Sequence, residues 1–222
     1  MKRIIVLILV AAMCVSITAC GSDKKAFEKS SIAYDNINAA YELTVRFAED
    51  FYRAWRIGVY EEETVQGNFA DYLSEELSLS KDDIIEGMAR QMGQAMAKKE
   101  WEELTQNEQD EYLEIAKGEF LWEGSVHGFL TYSVSNAYVA NGTVETIQDA
   151  LNISKEQMKE LSEEYSDYEH YPNLKGYYTT TSSLLDFLLN PEGSFDMFAS
   201  TVNEYMNTAR DYKSDLAFIF ED

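Results

Sequence analysis

Apolar and small residues recur in the segment 34–58 at alternating intervals of three and four positions. These intervals place every member of the series on one face of an α-helix, whereas a half-buried β-strand needs alternation at every second residue. The pattern predicts a long helix from about Phe27 to Glu63 with one face buried along its length. The members are Tyr34, Ile37, Tyr41, Thr44, Ala48, Phe51, Trp55 and Gly58.

Capping residues mark the starts of further helices. Ser80 is followed three positions later by Asp83, and Thr105 by Glu108, which is the spacing of a capping box. The first box predicts a helix whose other end carries Lys98 and Lys99, where basic side chains suit the helix dipole. The second predicts a helix from Gln106 to about Ala140, stopped by Asn141-Gly142. Glycine is costly inside a helix, so Gly118, Gly124 and Gly128 in this segment predict close helix crossings.

The same signals continue in the second half of the chain. Ser154 with Gln157 predicts a fourth helix, and a break containing Pro172 precedes a short piece from Ser183 to Leu189. Asn190-Pro191 or Ser194 is expected to cap a last helix that ends near Phe220. No window shows convincing strand alternation. We therefore predict an all-α fold, a multi-helix bundle of long amphipathic helices with short connecting helices.

Two segments 74 positions apart in the printed sequence are similar. Leu77-Ser78-Leu79-Ser80-Lys81-Asp82 aligns with Leu151-Asn152-Ile153-Ser154-Lys155-Glu156. The similarity is compatible with an internal duplication, which would give two equivalent helical units, and equally with a chance match among many possible offsets.

The charge of the chain limits its partners. There are 40 acidic and 18 basic residues, a formal net charge of −22. Nucleic acids and anionic lipid head groups are bound through basic side chains, so neither is expected as a partner. Hydrophobic residues make up 45% of the sequence, which favours a folded core over disorder.

The first 20 residues have three successive features. Lys2 and Arg3 are basic, residues 4–10 are apolar, and Ile17-Thr18-Ala19-Cys20 places small residues directly before a cysteine. This arrangement resembles the signal peptide and lipobox of bacterial lipoproteins. An ordinary secretory signal would leave a cysteine in that position unexplained, and the polar residues around it cut short the run of about 20 apolar residues that a membrane-spanning helix needs.

The resemblance to lipoproteins implies a domain organisation and a location. Residues 1–19 would be a signal peptide, Cys20 would carry a covalent diacylglycerol group, and residues 20–26 would form a short tether. Residues 27–222 would form a single helical domain anchored to the outer face of the bacterial cytoplasmic membrane. Loss of Lys2 and Arg3 would leave 16 basic against 40 acidic residues, a net charge of −24.

No signal for catalysis is present. The processed domain would contain no cysteine, since Cys14 lies in the removed segment and Cys20 carries lipid. The sequence also has no Gly-x-Ser-x-Gly, no His-Glu-x-x-His and no glycine-rich phosphate loop. We expect a protein that is not an enzyme and that needs no cofactor besides the lipid.

Two patterns could hold a metal ion. Glu119, Glu123 and His127 follow one another at intervals of four and would share a helix face. Met88, Met92 and Met96 repeat the same interval with thioethers that suit Cu(I). In each case the structural interpretation is favoured: an exposed acidic stripe beside a histidine, and methionines that fill the core.

Tyrosines are concentrated in a polar segment around Pro172. Tyrosine combines an apolar ring with a polar tip and is enriched where surfaces recognise partners. One hypothesis is an interaction module that binds an envelope protein or glycan through these rings, while the rings could instead cover the end of the bundle. The alternative function is a metal- or small-ligand-binding protein with its site near His127. The tyrosines are Tyr165, Tyr168, Tyr171, Tyr177 and Tyr178.

Overall fold

The computed structural model describes residues 21–61, 69–118 and 125–221, and within these ranges the chain is all-α. A π-helical turn, Gly93–Ala97, and a 3-10 turn, Trp101–Glu103, follow the third helix. The described ranges contain no β-strand, so the predicted fold class is confirmed. The helices are α1 (Gly21–Tyr60), α2 (Phe69–Glu76), α3 (Lys81–Met92), α4 (Gln106–Lys117), α5 (Val126–Ala140), α6 (Thr143–Glu164), α7 (Tyr171–Leu189) and α8 (Phe195–Phe220).

Helix α1 is the central element of the bundle. It packs against α5, α6, α7 and α8, and the predicted stripe forms its buried face. Of the eight members of the stripe, only Trp55 remains half exposed. Outside this centre, α3 packs on α5, and α4 packs on α3. The interval pattern therefore identified the helix that organises the fold.

The buried side chains form two hydrophobic clusters that both include residues of α1. The larger cluster surrounds Phe47 and Phe51 and takes in α2, α3, α5 and the first half of α8. The smaller cluster surrounds Tyr34 and Tyr41 and takes in the ends of α6 and α8 and the start of α7. Because α1 is one continuous helix that runs through both clusters, it fixes their positions relative to each other.

Three of the predicted helix starts, at Ser80, Thr105 and Ser194, are confirmed at atomic detail. The Ser80 and Asp83 side chains each bond the other's backbone N–H, and Thr105 and Glu108 do the same. Ser194 caps α8, with its Oγ 3.4 Å from Met197 N. Gly142 ends α5 with a φ of 81°, a left-handed conformation that favours glycine.

Three predicted boundaries are wrong. The helix predicted from Gln106 to Ala140 ends at Lys117, and a second helix, α5, begins at Val126 after a Ser125 cap. Ser154 does not start a helix, because it lies buried in the middle of α6 and donates to the carbonyl groups of Ala33 and Ala150. The helix predicted to begin at Ser183 begins at Tyr171, so the break covers residues 165–170 and Pro172 lies in the first turn of α7, where a missing N–H costs nothing.

The N-terminal boundary and the duplication also differ from expectation. Residues 21–26 belong to α1 rather than to an extended tether, and Ala26 is buried. Segment 77–82 is a loop followed by the first turn of α3, whereas segment 151–156 is the interior of α6. The second unit predicted by the duplication, with a return helix capped at Ser154, is therefore not formed.

Close helix contacts occur at glycines other than those expected. A Cβ atom on Gly87 would collide with the Ser133 carbonyl oxygen of α5, and one on Gly58 would collide with the His127 backbone. Gly118 instead follows the end of α4, and Gly128 has only Ser125 nearby. Gly124 lies outside the described residues. The predicted crossings at these three glycines are therefore wrong at Gly118 and Gly128.

Candidate interaction surface

Tyr177, the central member of the predicted tyrosine surface, lies in the core. It is 0% exposed, its hydroxyl donates to Asn38 Oδ1 at 3.2 Å, and its ring contacts those of Tyr34 and Tyr41. Burial raises the pKa of its hydroxyl. The residue cannot form part of an exposed surface, and this part of the prediction is corrected.

The other four tyrosines of the segment are half buried against the smaller cluster. The hydroxyl groups of Tyr168 and Ser30 are hydrogen-bonded with their oxygen atoms 2.8 Å apart, which joins the start of α7 to α1. Tyr165, Tyr171 and Tyr178 pack against the same cluster. His170 lies beside Tyr168, with ring centroids 5.3 Å apart. A role of these residues in partner binding stays a prediction, although each has a packing role.

The predicted metal site is only partly described. His127 is exposed at the start of α5, and its Nδ1 lies 2.9 Å from Ser125 Oγ. Its ring is nearly parallel to that of Trp55, at an angle of 8°. Glu119 and Glu123 lie outside the described residues. Among the residues that are described, no three His, Cys, Asp or Glu side chains are grouped as metal ligands would be.

The predicted methionine stripe is divided between core and surface. Met88 and Met92 are 0% and 1% exposed in α3, as the packing interpretation expects. Met96 is 65% exposed, because the π-helical turn after Met92 changes the direction in which later side chains point.

Aromatic side chains gather where α1 ends and α8 begins. The ring of Phe195 lies 5.8 Å from Trp55 and 6.4 Å from Tyr60, and Trp55 in turn contacts His127. Tyr60 is 69% exposed and Met197 63% exposed. We call Trp55, Tyr60, His127, Phe195 and Met197 the distal aromatic surface. It combines apolar area with the polar tips of a tyrosine and a histidine.

A charged network fixes the end of α1 beside this surface. Arg53 Nη1 lies 2.7 Å from Glu61 Oε1, and Arg53 Nη2 lies 2.5 Å from Glu76 Oε2 of α2. The Tyr72 hydroxyl donates to Glu61 as well. Hydrogen bonds from Arg53 and Tyr72 lower the pKa of Glu61. The last turn of α1 is thereby held in place, and Tyr60 with it.

The most buried carboxylate among the described residues is Asp50, which is 5% exposed. The Ser78 N–H donates to both of its oxygens, at 3.0 and 3.1 Å, and the Tyr138 hydroxyl donates to Oδ2 at 2.8 Å. Burial raises the pKa of Asp50, and these bonds oppose the rise. The group joins α1, α5 and the loop before α3.

Two open grooves lie along α1. One has a volume of about 370 Å³ and runs between α1 and α8 beside Tyr52 and Met206. The other, of about 340 Å³, lies between the first turns of α1 and the end of α6, beside Lys25 and Tyr165. Both are open to solvent, unlike an enclosed ligand site.

The residues of the distal aromatic surface were only partly evident from the sequence. Trp55 belongs to the stripe of α1, but no sequence pattern connects it with Phe195, which lies 140 positions later. None of the described helices combines the length and apolar character needed to cross a bilayer. Comparison with protein-family models, curated proteins and solved structures finds no match to this chain.

Proposed function

We propose that this protein is a lipid-anchored, extracytoplasmic interaction module without catalytic activity. It is held at the outer face of the bacterial cytoplasmic membrane by Cys20 and presents the distal aromatic surface to a protein or glycan of the cell envelope. The single observation that carries the proposal is α1, a continuous helix of 40 residues from Gly21 to Tyr60. The first residue of this helix directly follows the proposed anchor, and its last residue belongs to the distal aromatic surface.

The length of α1 gives the proposal a geometry. Gly21 directly follows Cys20, so the helix would begin at the lipid. At 1.5 Å per residue it extends for about 60 Å, which is roughly twice the thickness of the hydrocarbon core of a bilayer. Since other helices pack along it, α1 is a stiff support. The distal aromatic surface would therefore stand well away from the membrane.

The chemistry of the surface suits recognition. Aromatic residues and methionine are enriched in the centres of protein interfaces, where charged residues are depleted. Tyr60 and Met197 are exposed well beyond what packing requires, and Phe195 and Trp55 form a half-buried base beneath them. Exposed rings with polar tips can stack on a sugar ring or fill a pocket of a protein partner.

The environment of Asp50, the most buried carboxylate among the described residues, also supports a role without catalysis. Asp50 and Tyr138 form a pair of the kind used in acid and base chemistry, but they are 5% and 2% exposed. Their polar atoms are engaged with each other and with Ser78. A substrate has no access to them, and a structural role accounts for their bonds.

The anchor is tested by metabolic labelling with a fatty acid. Cys20→Ala is expected to lose the label completely, because no other residue would accept the diacylglycerol group. Cys14→Ala is the matched control and should be labelled like the unchanged protein, since it alters a cysteine that does not carry lipid. Label retained in Cys20→Ala would overturn the anchor.

The surface is tested by a photo-cross-linking amino acid introduced in living cells. Substituted at Tyr60 or Met197, it is expected to yield an adduct of defined mass, or a smear that glycosidase treatment collapses if the partner is a glycan. Met96 is the control position, because its exposure of 65% matches the 63% of Met197. Equal adducts from all three positions, or none, would contradict the proposed surface.

A further inference from the structure

Helix α5 has an unusual composition for this chain. Its 15 residues, Val126–Ala140, include no aspartate, glutamate, lysine or arginine. Charged residues make up 26% of the whole sequence, so a window of this length would ordinarily contain about four. A helix that is apolar on all sides is normally enclosed by other helices. The side of α5 that faces away from α1 and α3 is not.

The exposed side of α5 carries large apolar residues. Tyr132 is 47% exposed and Val139 is 46% exposed, and they lie two turns apart on one side of the helix. Between them, Asn136 donates to Gln91 Oε1 of α3 at 3.3 Å and to Gln94 Oε1 of the following π-helical turn at 3.4 Å. We call these five residues the neutral face.

We propose that the neutral face binds the neutral face of a second copy of this chain. The argument is electrostatic: each copy carries a formal charge of −22, so two copies repel each other across most of their surfaces. A contact between copies is least costly where both partners present no charge. The neutral face meets that condition and also offers apolar area to bury.

The spacing of the neutral face fits a two-fold contact. In a symmetric dimer, residue i contacts residue j of the second copy while j contacts i. Tyr132 and Val139 are equally distant from the midpoint between Ser135 and Asn136. When two α5 helices pack antiparallel about that midpoint, each tyrosine covers the valine of the other copy. Both contacts are then identical, and no exposed apolar side chain is left over.

The contact is small, and anchoring would offset its weakness. A stable dimer buries about 800 Å² on each partner, more than one helix face supplies. Two copies held in the same membrane meet at a much higher effective concentration than free copies do. The increase in effective concentration depends on the membrane anchor of the proposed function. The identity of the contacting residues does not depend on it.

Cysteine cross-linking of the full-length chain in cells tests the contact. Copies with Tyr132→Cys and copies with Val139→Cys are expressed together and are expected to form a disulfide-linked dimer on mild oxidation. The control is Ile153→Cys on α6, because Ile153 has the same exposure of 47% as Tyr132. A dimer band at least about tenfold stronger than in the control supports the contact, in line with the gain expected from a specific geometry. Equal bands, or none, would overturn it.

Charge substitutions provide an independent measurement. Tyr132→Glu and Val139→Lys are each expected to reduce proximity between tagged copies by about tenfold, because each buries charges against an apolar residue. Expressed together, the two variants should regain proximity through a Glu–Lys pair across the two-fold axis. Failure of this rescue would count against the geometry. A cross-linked dimer in the unsubstituted chain would instead reveal an unmodified Cys20, and so a failure of the proposed anchor.

Discussion

At the scale of single residues, Asp50 shows how a buried charge is accommodated. The carboxylate receives hydrogen bonds from Ser78 N and Tyr138 Oη, and burial still raises its pKa. The folded protein therefore binds a proton at this site more readily than the unfolded chain does. It follows that Asp50 makes the free energy of unfolding decrease as the pH rises through the raised pKa.

Tyr138→Phe should make this pH dependence stronger. The lost hydroxyl is one of the groups that hold the pKa of Asp50 down, so the pKa in the folded state rises further. We expect the variant to lose about 1–3 kcal/mol of unfolding free energy at pH 7 and less than that below about pH 4, where the carboxyl is protonated. Urea denaturation at several pH values measures both quantities.

The matched control is Tyr132→Phe, on the same helix but 47% exposed. It should change the unfolding free energy by less than about 0.5 kcal/mol at every pH, because an exposed hydroxyl keeps its hydrogen bonds to water. A deficit in Tyr138→Phe that is the same at pH 4 and pH 7 would show that Asp50 is not the group responsible.

Tyr177→Ala tests the assignment of the tyrosine segment to the core. Removal of a fully buried ring should lower the unfolding free energy by about 3–5 kcal/mol, because the cavity cannot be filled by its neighbours. Tyr165→Ala, at a half-buried position of the same segment, should cost clearly less. Chemical denaturation of the two variants compares them. Similar losses would contradict the difference in burial.

The tyrosine segment also shows where residue-level prediction fails. Leu174, Tyr177, Thr181, Leu184 and Leu188 are all 0% exposed and recur at intervals of three and four, as buried residues of a helix do. This stripe was hidden because Pro172 suggested a break, although proline is well tolerated in the first turn of a helix. Capping boxes were more reliable, since both of their hydrogen bonds are formed within four residues.

At the scale of helices, the contact between α3 and α5 depends on Gly87. Alanine has a helix propensity about 1 kcal/mol more favourable than glycine, so Gly87→Ala would stabilise an isolated helix. In the protein, its Cβ would lie only 2.1 Å from the Ser133 carbonyl oxygen, well inside contact distance. We therefore expect a net loss of about 1–3 kcal/mol from the forced separation of the helices, measured as a lower melting temperature.

Gly128→Ala provides the comparison for Gly87→Ala. Gly128 lies in the first turn of α5, and the nearest atom to its added Cβ would be Ser125 Oγ at 3.4 Å. We expect little change or a slight gain in melting temperature, because helix propensity acts without a collision. If both alanine variants were equally destabilised, the crossing at Gly87 would not be the cause.

Helix starts that carry a local cap were predicted well. Ser80, Thr105 and Ser194 each bind backbone N–H groups within their own first turn, so the signal is local. The end of α4 at Lys117 has no comparable signal, because the residues after it continue a pattern compatible with a helix. Ser154 was misleading because its hydroxyl does not cap a first turn. It donates instead to the Ala33 carbonyl oxygen of a helix 121 positions away, and no local pattern reveals that contact.

At the scale of the whole molecule, the two ends of the described chain are joined. The Tyr34 hydroxyl donates to Glu221 at 2.5 Å, and the rings of Phe27 and Phe220 lie 5.5 Å apart. Helix α8 therefore completes both hydrophobic clusters, through Phe198 in the larger and Leu216 in the smaller.

Deletion of residues 195–222 should abolish cooperative unfolding. Without α8, both hydrophobic clusters lose side chains that cover α1 and α7, and the remaining helices have no other element to replace them. Thermal melting followed by circular dichroism should change from a single sharp transition to a gradual decline. Phe218→Ser is the control, because Phe218 is 80% exposed and its loss should leave the transition intact. A sharp transition in the deletion variant would show that the rest of the chain folds alone.

The arrangement of helices could not be derived from their patterns. Each stripe indicates that one face is buried but does not identify the helix that covers it. The distal aromatic surface forms only because Trp55, His127 and Phe195 come together from three helices far apart in sequence. Fold class depends on local periodicity, whereas the site depends on long-range packing, so the first was predictable and the second was not.

The position of α1 has a consequence for the order of events during synthesis. Helix α1 leaves the ribosome before the other described helices, and its partner α8 leaves it after them. Until then, the buried stripe of α1 lacks part of its cover, and closing so long a loop is slow. The pairing of α1 with α8 therefore delays compact folding until late in synthesis. For the export that the proposed anchor requires, this delay would keep the chain extended enough to pass through a narrow translocation channel.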